Sequence, residues 1–151
     1  MKTFCSALFF GCFLCITAFA QIEPAKLGVS GHNHLALQVK DLQASAKFYR
    51  DVVGLKPIEV PENLKAIRAW FSIGNGQQIH LLAGRTQPIY HDKDGSHIAL
   101  FVDSIDKSEQ FLKEQHLKYH KQVRFDGITQ IYFPDPDGYL IELNEAKKTP
   151  N

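Results

Sequence analysis

Beyond residue 20 the chain has no cysteine: all three, Cys5, Cys12 and Cys15, fall within the first twenty of its 151 residues. The body of the protein therefore has no disulfide staples and no thiolate metal sites, so any cation there must be held by nitrogen and oxygen. Nor is there an excess of one charge. With Lys2 set aside, sixteen basic residues face sixteen acidic ones, which speaks against nucleic acid or an anionic membrane as the main partner. Low-complexity tracts are absent. The apolar run 4–16 follows Lys2 and precedes Ala18-Phe19-Ala20, the layout of a signal peptide with its small-residue cleavage site. Residues 1–20 are thus expected to be removed, leaving an exported protein, periplasmic or extracellular, with no membrane attachment. The remaining 131 residues suffice for one modest core.

What the chain does contain is a repeat. Residues 33–40 alternate as a strand, with His34, Ala36 and Gln38 on one face and Leu35, Leu37 and Val39 on the other. Asp41 is placed to cap a helix running to about Val53, with Gly54 as its stop. Extended segments 56–60 and 67–73 follow, and Asn75-Gly76 turns the chain into 77–83. After a connector, 84–95, the pattern starts again. His34-Leu35-Ala36-Leu37 falls on His97-Ile98-Ala99-Leu100 at an offset of 63, as do Leu42 on Ile105, Ser45 on Ser108 and Phe48 on Phe111. One residue is then lost. At an offset of 62, Trp70-Phe71 falls on Tyr132-Phe133, Asn75-Gly76 on Asp137-Gly138, and Ile79-His80-Leu81 on Ile141-Glu142-Leu143. Two β-α-β-β-β modules, about 31–83 and 95–145, therefore make one α+β domain over 31–145.

The repeat places ligand-type residues at equivalent points. Each half offers one at the start of its first strand, His34 and His97, and one in its last strand, His80 and Glu142. A lone strand histidine is most simply a hydrogen-bonded structural residue; four such positions related by the duplication point to a metal. A carboxylate fixed in mid-strand, as Glu142 is, must be solvated, paired or metal-bound. His32 shares the face of His34 and could replace it after a register shift, while His91, His116 and His120 read as solvated loop and helix-end residues. Counting back from two-residue turns sets Phe71 opposite His80 and Phe133 near Glu142, as apolar pocket wall. Arg85 and Tyr90 in the connector are candidates for contact with an anionic substrate, by position in the chain alone.

The segments HLALQVKDLQASAKFYRDVVGLK, GQQIHLL, HIALFV and DPDGYLIELNE resemble the vicinal oxygen chelate superfamily of glyoxalases, bleomycin resistance proteins and extradiol dioxygenases. The resemblance implies a cup-shaped, partly open barrel around a divalent cation (zinc, manganese, iron, nickel or cobalt), with His34, His80, His97 and Glu142 as ligands. It implies a glyoxalase-like lyase or isomerase acting on a small metal-chelating oxygenated metabolite, with Glu142 and His80 as the catalytic residues. It also implies a homodimer in which a site can be shared between chains. Two other activities fit the resemblance: an extradiol-type Fe(II) dioxygenase using His34, His97 and Glu142, and a protein that sequesters a small toxic molecule. A histidine at position 80, where glyoxalases usually carry a carboxylate, counts against a shuttle of two glutamates.

Overall fold

The structure, a computed structural model, describes residues 27–92 and 94–146; the predicted signal peptide lies outside the described residues. No helix among the described residues is long and apolar enough to cross a membrane. The compact unit begins at His32. Its first half runs β1 (His34–Val39), α1 (Leu42–Asp51), β2 (Lys56–Ile58), a single 3-10 turn at Glu62–Leu64, β3 (Arg68–Gly74) and β4 (Gln77–Ala83). The second runs β5 (His97–Val102), α2 (Ile105–Glu114), β6 (His120–Val123), β7 (Thr129–Pro134) and β8 (Leu140–Glu145). Each half is a four-stranded sheet of the same order, β1-β4-β3-β2 and β5-β8-β7-β6. The first and last strands of each half pair in parallel and the rest antiparallel.

Local chemistry sets the helix boundaries. The Asp41 side chain accepts hydrogen bonds from the backbone nitrogens of Gln43 and Ala44, both at 3.0 Å, and Ser104 accepts from that of Lys107, so each helix starts on a short polar cap. Glu145 at the end of β8 takes the amide of Ile105 at 3.0 Å, tying the first turn of α2 to the edge of its own module. The apolar stripes of both helices and the apolar faces of both sheets meet in one cluster. It contains Leu37, Val39, Tyr49, Phe71, Ile79 and Leu81 from the first half and Leu112, Ile131, Phe133, Ile141 and Leu143 from the second. A shared core of this kind couples the modules through burial of apolar area, the main favourable contribution to folding.

The connection between β7 and β8 locks the halves together. Asp135 accepts the amides of Asp137 and Tyr139, both at 2.8 Å, and the Tyr49 hydroxyl at 3.0 Å. Asp137 accepts the Lys40 amide and the Ser45 hydroxyl, each at 2.7 Å, and the Arg85 guanidinium at 2.6 Å. Strand pairing closes at Pro134 and Leu140, so this connection has five residues where a two-residue Asp137-Gly138 turn was expected. Asn75 and Gly76 do form a two-residue turn, both with positive φ, as the twist of a type I′ hairpin demands.

Candidate metal centre

With the apolar faces joined in the core, the opposite faces of β1 and β5 are open. His34, Ala36, Gln38, His97, Ala99 and Phe101 are all exposed. The parallel pairing of β1 with β4 sets Ala36 beside His80, and the imidazoles of His34 and His80 stack at 4.2 Å and 14°. Trp70 of β3 lies directly opposite His80, stacked on its other side at 4.5 Å and 15°. Asn33 Oδ1 lies 2.6 Å from His34 Nδ1, and Gln78 Oε1 lies 2.7 Å from His80 Nε2. An amide oxygen only accepts, so those two ring nitrogens carry the hydrogens. His34 Nε2 and His80 Nδ1 keep their lone pairs. Burial holds the His80 pKa below the ordinary imidazole value, which favours the neutral form that can act as a ligand.

In the second half Ala99 sits beside Glu142, and His97 Nε2 approaches Glu142 Oε2 to 2.6 Å. The other imidazole nitrogen, Nδ1, is 2.8 Å from the Gly95 carbonyl, so again the far side of the ring is tied to an acceptor. The Tyr132 ring meets His97 edge-on at 5.8 Å. Glu142 is 4% exposed. Its Oε1 accepts from Asn144 Nδ2 at 2.7 Å and from Gln130 Nε2. Imidazoles oriented by an acceptor on the far nitrogen, beside a hydrogen-bonded carboxylate, are the outer support that nitrogen–oxygen cation sites carry. The donor set fits a divalent cation of the first transition row.

The structure brings the four residues together two by two, His34 with His80 and His97 with Glu142. Among the described residues no three His, Cys, Asp or Glu side chains of one chain gather as a cation site. The two first strands do approach each other: Ala36 and His97 line a common cavity of about 200 Å³ with His91 and Tyr139.

The aromatic wall is corrected. Phe71 and Phe133 are core residues, 2% and 3% exposed, and the rings that meet His80 and His97 are Trp70 and Tyr132. In β3 a bulge between Ser72 and Gly74 shifts the pairing by one residue. In the second half the five-residue connection does the same. A slip of one exchanges the faces of a strand. His120, expected in a loop, lies in β6 opposite Tyr132. Arg85 is committed to Asp137 and to the Gln87 carbonyl, and Tyr90 is 88% exposed. Gln130, Asn144 and Gln78 were not singled out from the sequence. Alternation in β7, β8 and β4 was the available signal, since each shares a face with its histidine or glutamate.

Comparison with known proteins bears on the fold and the family. Glyoxylase I 4 of Arabidopsis thaliana is 30% identical over 133 residues, 82% of this chain and 75% of that protein. The lactoylglutathione lyase of Haemophilus influenzae is 30% identical over 125 residues, 77% of this chain and 93% of the other. The crystal structure of a fosfomycin resistance protein from Listeria monocytogenes, solved with Mn(II) and a dihydroxypropylphosphonic acid, superposes with a TM-score of 0.66 at 24% identity, covering 80% of this chain and 95% of that one. Residues 31–143 match the profile of the Glyoxalase/Bleomycin resistance protein/Dioxygenase superfamily, and the chain belongs to that family.

Proposed function

We propose that the protein is a divalent-metal-dependent, glyoxalase-like lyase or isomerase, exported from the cytoplasm, acting on a small metabolite that chelates through adjacent oxygens. The observation that carries this reading is the approach of His97 Nε2 to Glu142 Oε2 at 2.6 Å, matched at the equivalent point of the other half by His34 and His80. A cation held by His34, His80, His97 and Glu142 would polarise the substrate oxygens and lower the cost of negative charge developing on them. The chain supplies the proton chemistry. A group that yields its place on the cation to a substrate oxygen, Glu142 through Oε2 or His80 through Nδ1 on a ring whose neutral form burial favours, would accept and return a proton. Trp70 covers one face of the His80 ring and keeps water from it.

Two half-sites on open faces, with Phe101 80% exposed beside His97 and Ala99, support closure of each centre between two copies of the chain. Metal analysis of the purified protein beside His97→Ala and Glu142→Ala tests the assignment. Stoichiometric metal in the wild type and its loss in both variants is expected; retention by both removes the site. A second reading, an extradiol-type Fe(II) dioxygenase on His34, His97 and Glu142, draws on the clamping of His80 between Trp70 and His34. Oxygen uptake with a catechol after anaerobic iron loading separates the two activities.

A further inference from the structure

Glu142 is held by an amide cradle that its counterpart in the first module lacks. Gln130 is as buried as Glu142, each 4% exposed. Gln130 Nε2 donates to Glu142 Oε1 and, at 3.1 Å, to Asn144 Oδ1. Its Oε1 accepts from the Tyr132 hydroxyl at 3.2 Å and from Gln122 Nε2 at 3.3 Å. Each end of the amide thus has two partners, and a flip would set acceptor against acceptor at Glu142. Asn144 Nδ2 adds a second donor to the same carboxylate oxygen at 2.7 Å. Oε1 is thereby occupied by two N–H groups, while Oε2 faces His97 Nε2. At the offset of 62, Gln130 corresponds to Arg68 and Asn144 to Leu82. Arg68 turns its guanidinium to the Ile67 carbonyl, and Leu82 has no polar group. Amides at these two positions stand only in the second module; His80 meets instead a single amide oxygen, Gln78 Oε1.

We propose that Gln130 is a positioning residue that fixes Glu142 as a one-oxygen ligand, presenting Oε2 and withholding Oε1. The proposal rests on the metal-centre reading above. A carboxylate freed from the cradle can rotate and offer both oxygens, or turn away, and outer partners of this kind typically change metal affinity by roughly 10–100-fold.

The test titrates Mn²⁺ into the metal-free full chain, wild type and Gln130→Met, following free Mn²⁺ by electron paramagnetic resonance. The visible spectrum of the Co²⁺ form reports the coordination independently of activity. Gln130→Met should bind Mn²⁺ 10–100-fold more weakly and alter the Co²⁺ bands, which a role confined to supporting the fold would leave unmoved. A folded Gln130→Met with wild-type affinity and an unchanged Co²⁺ spectrum overturns the proposal while leaving the metal centre standing. A wild type that binds neither ion overturns both. Should Gln130→Met not fold, Gln122→Met removes one anchor of the Gln130 carbonyl and leaves its N–H donors in place. It should weaken Mn²⁺ a few-fold, and unchanged affinity there counts against the proposal equally.

Discussion

Asp135 and Asp137 stand two residues apart, 5% and 7% exposed, and their surroundings push them in opposite net directions. Burial raises Asp135, and the amides of Tyr139 and Asp137 and the Tyr49 hydroxyl do not fully offset it, so its pKa lies above the ordinary carboxylate value. Burial also raises Asp137, but the Lys40 amide, the Ser45 hydroxyl and the Arg85 guanidinium together outweigh it and bring the pKa below that value. The signs follow from linkage. Asp137, lower in the folded state, contributes stability above the unfolded carboxylate pKa of about 4, and that contribution is lost as pH falls through the folded value. Asp135, higher in the folded state, opposes folding when ionised, and the opposition is relieved as pH falls through its raised value. Asp137→Asn should therefore cost about 3 kcal/mol near neutral pH, because it strands Arg85, and should lose less than the wild type on acidification below pH ~4. Asp135→Asn keeps an oxygen for the two amides and should be close to neutral at pH 7. Urea denaturation across a pH series measures both.

The two hairpins at the ends of β3–β4 and β7–β8 are equivalent in the repeat but differ in what surrounds them. Gly76 has φ +74° with nothing within 4 Å of an added Cβ, whereas Gly138, at φ +98°, would place a Cβ 2.9 Å from the Ile89 carbonyl oxygen. Gly76→Ala should cost only the left-handed backbone penalty, about 1 kcal/mol. Gly138→Ala should cost clearly more, since the connector backbone has to move; thermal unfolding of the two variants side by side checks the order. The same pair shows how far local sequence reached. Asp41 as a cap, both helices and the turn at Asn75-Gly76 were legible, because each depends on a few neighbouring residues. The facing of Trp70 and Tyr132 was not. A bulge near Ile73 and a five-residue connection held by the Asp135 carboxylate change the register, and both are settled by what packs around them.

Across the whole molecule, two matched half-sites leave one arrangement to test. A chain carrying His34→Ala with His80→Ala keeps only the second half-site, and one carrying His97→Ala with Glu142→Ala keeps only the first. If two copies close each centre, neither variant alone should hold metal. Random exchange between them should restore about a quarter of the wild-type sites, because half the dimers are mixed and each has one intact centre. Metal content after mixing reads this directly, and no recovery would place the centre within a single chain.

The amino-acid sequence alone determined the duplication, the order of the elements, and the three imidazoles and one carboxylate at equivalent positions. Periodicity, caps and turn residues are local, and a repeat is visible without knowing where its halves lie. Tertiary structure decided which aromatic rings face His80 and His97, that amides from β7 and β8 hold Glu142, and that the four residues meet in pairs. Those are contacts between residues far apart in the chain, set by strand register and by burial of the shared core.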